Sequence, residues 1–227
     1  MNREPDLPYV LIGAGGHAGV LIEALVAAGH RPPVAVLDAD ASRHGSRFFG
    51  VEIVGGDDLL GDFVRRGVAR FVLGVGSAGS TRVRRLVYQR AIATGARPLE
   101  VVHPTAFVAP SAQLGAGVQL APRAVVHTGA ALGAGVLINT AAIVEHDCRV
   151  GDFAHVATGG VLAGGVVVGA GVHVGAGAVV RQGITLGERA VVGAGAVVVR
   201  NVPAGAVVVG VPARVLRFLD DEPAETA

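Results

Sequence analysis

The chain has no lysine and no tryptophan, one cysteine and one methionine in 227 residues. Its 19 basic residues are therefore all arginines, and 18 acidic residues balance them to a net charge of +1. A field so close to neutral does not gather nucleic acid or an anionic membrane surface, and neither partner is expected. The lone Cys148 cannot close a disulfide within the chain, which agrees with a reducing compartment. Long hydrophobic runs are missing too. The opening M-N-R-E-P-D-L-P lacks the apolar stretch of a secretory signal, and no later segment reaches ~18 apolar residues without Gly, Pro or charge. The expectation is a cytoplasmic protein with no membrane span. Aromatics make up only 4%, whereas Gly, at 35 residues, is present at about twice the usual ~7%. Since 51% of the chain is apolar, this bias points to a special architecture and excludes disorder. The length exceeds the ~100–150 residues of one domain, so two are expected.

The first, residues 1–100, alternates short apolar runs with amphipathic stretches, the grammar of a parallel sheet with crossover helices. Tyr9–Ile12 reads as a buried strand, Val20–Gly29 as the helix after it, Val34–Leu37 and Arg70–Val75 as further strands. Thr81–Thr94 has helical spacing of Val83, Leu86, Val87 and Ile92, with its arginines largely on the other face. Between the first strand and helix lies Gly13-x-Gly15-x-x-Ala18, and Asp38 ends the second strand. That is the dinucleotide fingerprint and its ribose-binding acid, although a tight turn alone would also use these glycines. Only one mononucleotide-binding half is present, which argues against a nicotinamide enzyme.

From residue 101 to 210 the pattern changes. Every sixth residue from Val102 to Val198 is aliphatic, seventeen in succession without a break in register. The residue two places before is usually small (Ala124, Ala142, Cys148, Ala154, Ala178), which makes Cys148 a buried thiol rather than a nucleophile. The residue after is often Gly. A six-residue period with glycine at turns is the signature of a β-helix, three hexapeptides to each triangular coil. An α-helix has no such period, and Gly costs it roughly 0.8–1 kcal/mol per residue. Residues 211–227 read as cap and tail, with a short helix at Val215–Asp220 covering the last coil.

A regular repeat needs no chemistry, so the informative positions are those that break it. They cluster in Ile138–Gly159, which holds Glu145, His146, Asp147, Arg149, Asp152 and His155. Acyl transfer from a thioester needs a base for the nucleophile's proton and donors for the oxyanion. His146 suits the base, with Asp147 as its orienting carboxylate and Glu145 as the alternative. Residues eighteen apart stack on successive coils, so His146 stacks on Gly164, leaving bare backbone beside the imidazole and the Gly164 amide as an oxyanion donor. His155 stacks likewise on His173. No His-x4-His pair suggests a zinc hydratase, and no metal is expected.

At these residues the chain resembles a known bacterial family. The segment V-E-H-D-C-R-V-G-D-F-A-H-V, the Gly-Ala-Gly-Gly-His start and the terminal Gly210-Val-Pro-Ala-Arg214 are similar to hexapeptide-repeat acyltransferases that include sialic-acid O-acetyltransferases and nucleotide-amino-sugar N-acetyltransferases. The resemblance implies a Rossmann-like α/β domain followed by a left-handed parallel β-helix, acetyl-CoA as co-substrate and a homotrimer. It implies His146 as general base with Asp147, and acetyl-CoA contacts at His155, Ala176, Ala194 and Arg214. For the acceptor it implies Gly15, Gly16 and His17 at the phosphates or sugar, Asp38 at the nucleotide, and the Gly76–Ser80 loop with Arg82. The expected reaction is N-acetylation of a nucleotide-linked amino sugar in surface-glycan synthesis. O-acetylation of a sugar such as sialic acid and a non-catalytic nucleotide-binding scaffold are the alternatives.

Overall fold

The computed structural model describes residues 7–219. Its first part is a six-stranded sheet in the order β3-β4-β2-β1-β5-β6, comprising β1 Val10–Ile12, β2 Ala35–Leu37, β3 Arg47–Phe48, β4 Val51–Gly55, β5 Arg70–Leu73 and β6 Arg97–Pro98. All pairs are parallel except β3 with β4. The central strand β1 is buried on both faces, as a parallel sheet with helices on either side requires. Leu11 joins a core with α1 (Gly16–Ala27), while Val10 and Ile12 join a second core with Leu60 of α2 (Leu60–Arg65) and Tyr88 of α3 (Arg82–Ala93). Because β1 lies between β2 and β5, the chain leaves it in opposite directions, and a crevice opens at the strands' carboxyl ends.

Helix α1 begins at Gly16, earlier than the sequence reading, because the Gly-rich loop itself turns into the first helical residue. Helix α3 corrects a second expectation. Its buried residues are Arg84, Tyr88 and Ala91, whereas Val83 is 62% and Ile92 41% exposed. The spacing i, i+4, i+7 gave this face equally well, but an arginine within it made it look polar.

The second part is a left-handed parallel β-helix of two-residue strands. Face I carries Val101–Val102, Gln119–Leu120, Leu137–Ile138, His155–Val156, His173–Val174 and Val191–Val192; face II runs from Phe107–Val108 to Val197–Val198; face III runs from Gln113–Leu114 to Thr185–Leu186. Partners are eighteen residues apart, as in His155↔His173. Every sixth residue from Leu120 to Val198 is at most 4% exposed. Each such side chain contributes ~1.5–3 kcal/mol on burial, which sets the register. Small partners, Ala124, Ala142, Cys148 and Ala178 among them, are fully buried between them.

The expected capping helix is absent. Arg214–Phe218 is a strand, antiparallel to Ala206–Val209 at the end of face I; Asp220 lies outside the described residues. Alternating R-V-L-R-F suits a strand, the face's open edge offers unpaired backbone groups, and a helix this short does not sustain its own nucleation.

The α/β part rests on face I and on the corner between faces III and I. Tyr88 meets Phe153 edge to face at 5.0 Å, and its hydroxyl donates to Ala116 O. Arg84 donates to Gly135 O at 2.9 Å, and Thr81 to Gly171 O.

Candidate active site

His146 sits in the turn from Ile143–Val144 of face II to Arg149–Val150 of face III. Its Nδ1 lies 2.9 Å from Asp147 Oδ2. The carboxylate only accepts, so Nδ1 carries the proton and Nε2 presents a lone pair. Asp147 adopts φ 61°, the left-handed position that adjacent coils give to Gly129 (68°) and Gly165 (67°). That conformation is what turns its carboxylate back onto the imidazole. Two neighbouring coils are cleared for the pair: a Cβ at Gly164 would lie 2.4 Å from His146 Nε2, and one at Gly129 would lie 2.7 Å from Asp147 Oδ1. Gly164 O accepts from Gly183, whereas no described carbonyl accepts the Gly164 N–H. Both side chains of the pair are open to solvent, at 55% and 72% exposed. The Cys148 thiol points inward, fully buried, donates to Ala163 O at 3.2 Å and is pushed up by burial.

A second site is the crevice of the α/β part, a cavity of about 470 Å³. Its floor is the loop Gly13–His17 and its walls include Leu37, Asp38, Asp57, Gly76, Val83 and Val87. Gly15 and Gly16 are exposed, and a Cβ on either would meet nothing. Their bare N–H groups at the start of α1 suit a phosphate. Asp38 is committed elsewhere: Oδ2 accepts the Ala14 N–H at 2.7 Å and lies 3.4 Å from Arg43 NH1, and Oδ1 accepts from Asp40 N. It therefore shapes the Gly-rich loop. Asp57, which the sequence reading did not pick out, is the other carboxylate on the wall; it opens the one-turn segment Asp57–Leu59.

Between the crevice and face I lies a polar seam. His17 Nε2 is 2.9 Å from Gln119 Oε1, which also accepts from Arg84 NH1 at 3.0 Å, while Gln119 Nε2 donates to Leu73 O at 2.8 Å. Arg84 is 1% exposed and also donates to Val75 O. Burial lowers its guanidinium to about 10. His155 is 5% exposed, with Nδ1 2.9 Å from Ser77 Oγ and Nε2 3.4 Å from Asn139 Nδ2, and its ring meets His173 at 4.9 Å. Burial first, then His173 and Arg84, holds His155 down to about 3. Burial likewise holds His17 down to about 4, against the opposing effect of its Gln119 hydrogen bond. Both are neutral imidazoles near pH 7.

The residues singled out in the sequence thus fall into separate groups. His146, Asp147 and Gly164 meet at the corner between faces II and III. Gly15, Gly16, His17, Asp38 and Gly76 line the crevice, and His155 lies outside its lining, hydrogen-bonded to Ser77, the residue after Gly76. Ala176 and Ala194 stack on the corner between faces I and II, both exposed, with Gly195 N donating to Ala176 O. Arg214 is exposed on the last strand. Arg82 lines a different cavity of about 250 Å³, with Arg85, Asp152, Glu188 and Arg189, and is not brought to the crevice. Ser77 and Asn139 lie in stretches that the sequence singles out, the Gly76–Ser80 loop and Ile138–Gly159, whereas Gln119 and Arg84 were missed. Gln119 alone left a signal, a polar residue at an outward face I position beside Val101 and Leu137. Among the described residues no three His, Cys, Asp or Glu side chains cluster as a metal site, and no helix is long and apolar enough to cross a membrane.

Comparison with known proteins places both parts. Residues 9–91 match the PglD N-terminal domain, and residues 165–200 match the bacterial transferase hexapeptide (six repeats). No curated protein sequence matches the chain. Among solved structures, a histidine variant of perosamine N-acetyltransferase from Caulobacter crescentus, in complex with CoA and GDP-perosamine, superposes with a TM-score of 0.86 and 38% identity, covering 92% of this chain and 96% of that one. The acetyltransferase domain of PglB from Neisseria gonorrhoeae FA1090, in complex with acetyl coenzyme A, gives 0.83 and 36%, covering 93% and 100%. WeeI from Acinetobacter baumannii AYE shares the fold at 24% identity, with a TM-score of 0.81 and coverage of 92% and 99%. With an α/β crevice, a hexapeptide β-helix and more than a third of its residues in common with the first of these along nearly its whole length, the chain belongs to the nucleotide-amino-sugar N-acetyltransferase family of hexapeptide-repeat proteins.

Proposed function

We propose that this acetyltransferase moves the acetyl group of acetyl-CoA to the amine of a nucleotide-linked amino sugar, with His146 as general base. The His146–Asp147 pair beside the bare backbone at Gly164 carries the reading. The amine nitrogen attacks the thioester carbonyl while His146 Nε2 takes its proton. The C–N bond forms, the C–S bond breaks, and the imidazolium returns the proton to the departing thiolate. Asp147 holds the tautomer and stabilises the imidazolium, and the Gly164 N–H faces the developing oxyanion. The perosamine N-acetyltransferase complex with CoA and GDP-perosamine makes GDP-perosamine the first acceptor to try. In this reading residues 1–100 bind the nucleotide sugar, 101–210 form the acyltransferase β-helix, and 211–227 are cap and tail, in a cytoplasmic protein.

The same reading requires a trimer. The α/β part makes its hydrogen bonds through Tyr88, Arg84, Thr81, His17 and Ser77 to face I or to the corner between faces III and I, whereas His146 is on the corner between faces II and III. One chain's crevice therefore does not face its own base. Face II between them presents Phe107, Val125, Ile143, Val161, Val179 and Val197 outward, an apolar stack with Phe107 51% exposed. A threefold interface joins unlike patches of neighbouring copies. Face II buried in this way would set His146 of one copy against His155, Ala176 and Ala194 of the next. Sedimentation should give the mass of three chains.

The deciding assay is thiol release from acetyl-CoA with GDP-, UDP- and dTDP-linked 4-amino sugars. One of them should support turnover, and His146→Ala should lower kcat by ~10²–10⁴-fold with the fold intact. Undiminished turnover in that variant would remove His146 from the chemistry.

A further inference from the structure

The seam between the crevice and face I holds a buried cation, Arg84, whose hydrogen-bond acceptors among the described residues are all neutral. Arg84 is 1% exposed, it donates to the neutral oxygens of Val75, Gly135 and Gln119, and its Nε has no partner among the described residues. The amide of Gln119 is oriented by two constraints: its Nε2 donates to Leu73 O at 2.8 Å, and its Oε1 receives the Arg84 guanidinium at 3.0 Å. That oxygen can only accept, so the His17 nitrogen 2.9 Å away, Nε2, must carry the ring's proton. The other ring nitrogen, Nδ1, is then an unprotonated acceptor. His17 itself lines the crevice, in the first turn of α1 beside the bare amides of Gly15 and Gly16.

We propose that Arg84, acting through Gln119, fixes His17 as the Nε2–H tautomer, so that His17 Nδ1 accepts a hydrogen bond from a hydroxyl or amino N–H of the sugar and takes no part in holding the diphosphate. The inference rests on the nucleotide-sugar reading of the crevice and deepens it. Diphosphate oxygens at neutral pH have no proton to offer, so a lone pair repels them. A hexose offers O–H and N–H donors on every side. The loop thus divides its labour: backbone N–H groups of Gly15 and Gly16 meet the anion, and one side-chain acceptor meets the sugar. His17 is a specificity-determining contact, and Arg84 and Gln119 are positioning residues. Arg84 does so from within the junction of the two parts, since it also holds Gly135 O of the β-helix. Acceptor specificity is in this way set partly by a residue of face I that never touches the acceptor.

The test reads the tautomer directly. Histidine-15N-labelled full-length protein, with His17 assigned by comparison with His17→Gln, should show Nε2 protonated and Nδ1 bare near pH 7. GDP-perosamine should move the Nδ1 resonance, and GDP alone should leave it in place. In steady state, Gln119→Leu should raise KM for GDP-perosamine about tenfold, the loss of one oriented hydrogen bond, with KM for acetyl-CoA unchanged. A proton on Nδ1 in the wild type, an equal Nδ1 shift with GDP alone, or a parallel rise in both KM values would overturn the inference. Should Gln119→Leu fail to fold, the wild-type spectra decide alone. Thiol release with a wrongly protonated His17 would sink this inference only, whereas no thiol release with any nucleotide sugar would sink the functional reading.

Discussion

Asp147 occupies a backbone position that the coils above and below give to glycine, at φ 61°. A side chain there costs about 1–2 kcal/mol in the left-handed region, less for Asp than for bulkier residues. The strain keeps the carboxylate on His146. Asp147→Gly should therefore raise the unfolding free energy by about 1 kcal/mol while lowering kcat at least tenfold, stability and activity moving in opposite directions in denaturant titration and turnover assays. Gly164 makes the complementary case. Its φ is not in the left-handed region, so alanine fits the backbone, but its Cβ would lie 2.4 Å from His146 Nε2. Gly164→Ala should swing the exposed imidazole off Asp147, cutting kcat ~10²-fold with Tm nearly unchanged. This half of the site was legible in the sequence because His146 and Asp147 stand out as polar residues in an apolar repeat, and the glycines around them follow from the rule that residues eighteen apart stack. The seam obeyed no such rule. His17 and Gln119 are 102 positions apart and Arg84 and Gln119 are 35 apart, so nothing in the local pattern announced either pairing.

At the scale of elements, the docking of the α/β part on face I is carried by groups whose protonation is tied to folding. His17 and His155 are held down to about 4 and about 3, below the ordinary 6.5, chiefly by burial. The folded chain thus binds fewer protons than the unfolded one. Their contribution is fully present above pH ~6.5 and is lost as pH falls toward those lower values, at ~1.4 kcal/mol for each unit of displacement per group. The urea midpoint should drop between pH 7 and pH 4.5, and His155→Asn should flatten that slope. A profile equally steep in the variant would place the acid sensitivity elsewhere. Elements were legible in proportion to their regularity. The β-helix register follows from an unbroken six-residue period, whereas α3 was turned to the wrong face because Arg84 looks like a solvent residue, and the last strand was read as a helix because its partner edge exists only once the coils have stacked.

The whole molecule sets its α/β crevice over face I and the corner between faces III and I, and His146 on the corner between faces II and III, with the apolar face II beside His146. That arrangement has a genetic meaning. If each active site is built from His146 of one copy and the crevice of the next, two separately dead chains can rescue each other. One would be His146→Ala; the other Gly15→Asp, which sets a carboxylate over the proposed diphosphate seat at a position where a Cβ meets no neighbour. Neither alone should release thiol. Co-expressed in equal amounts and assembled at random, they should regain about a quarter of wild-type activity, because a site needs one sound contribution from each of two neighbours. Sites contained within a single chain would give nothing back. The spacing of two corners on a prism thereby decides whether a cell carrying two damaged copies of this gene still acetylates its sugar.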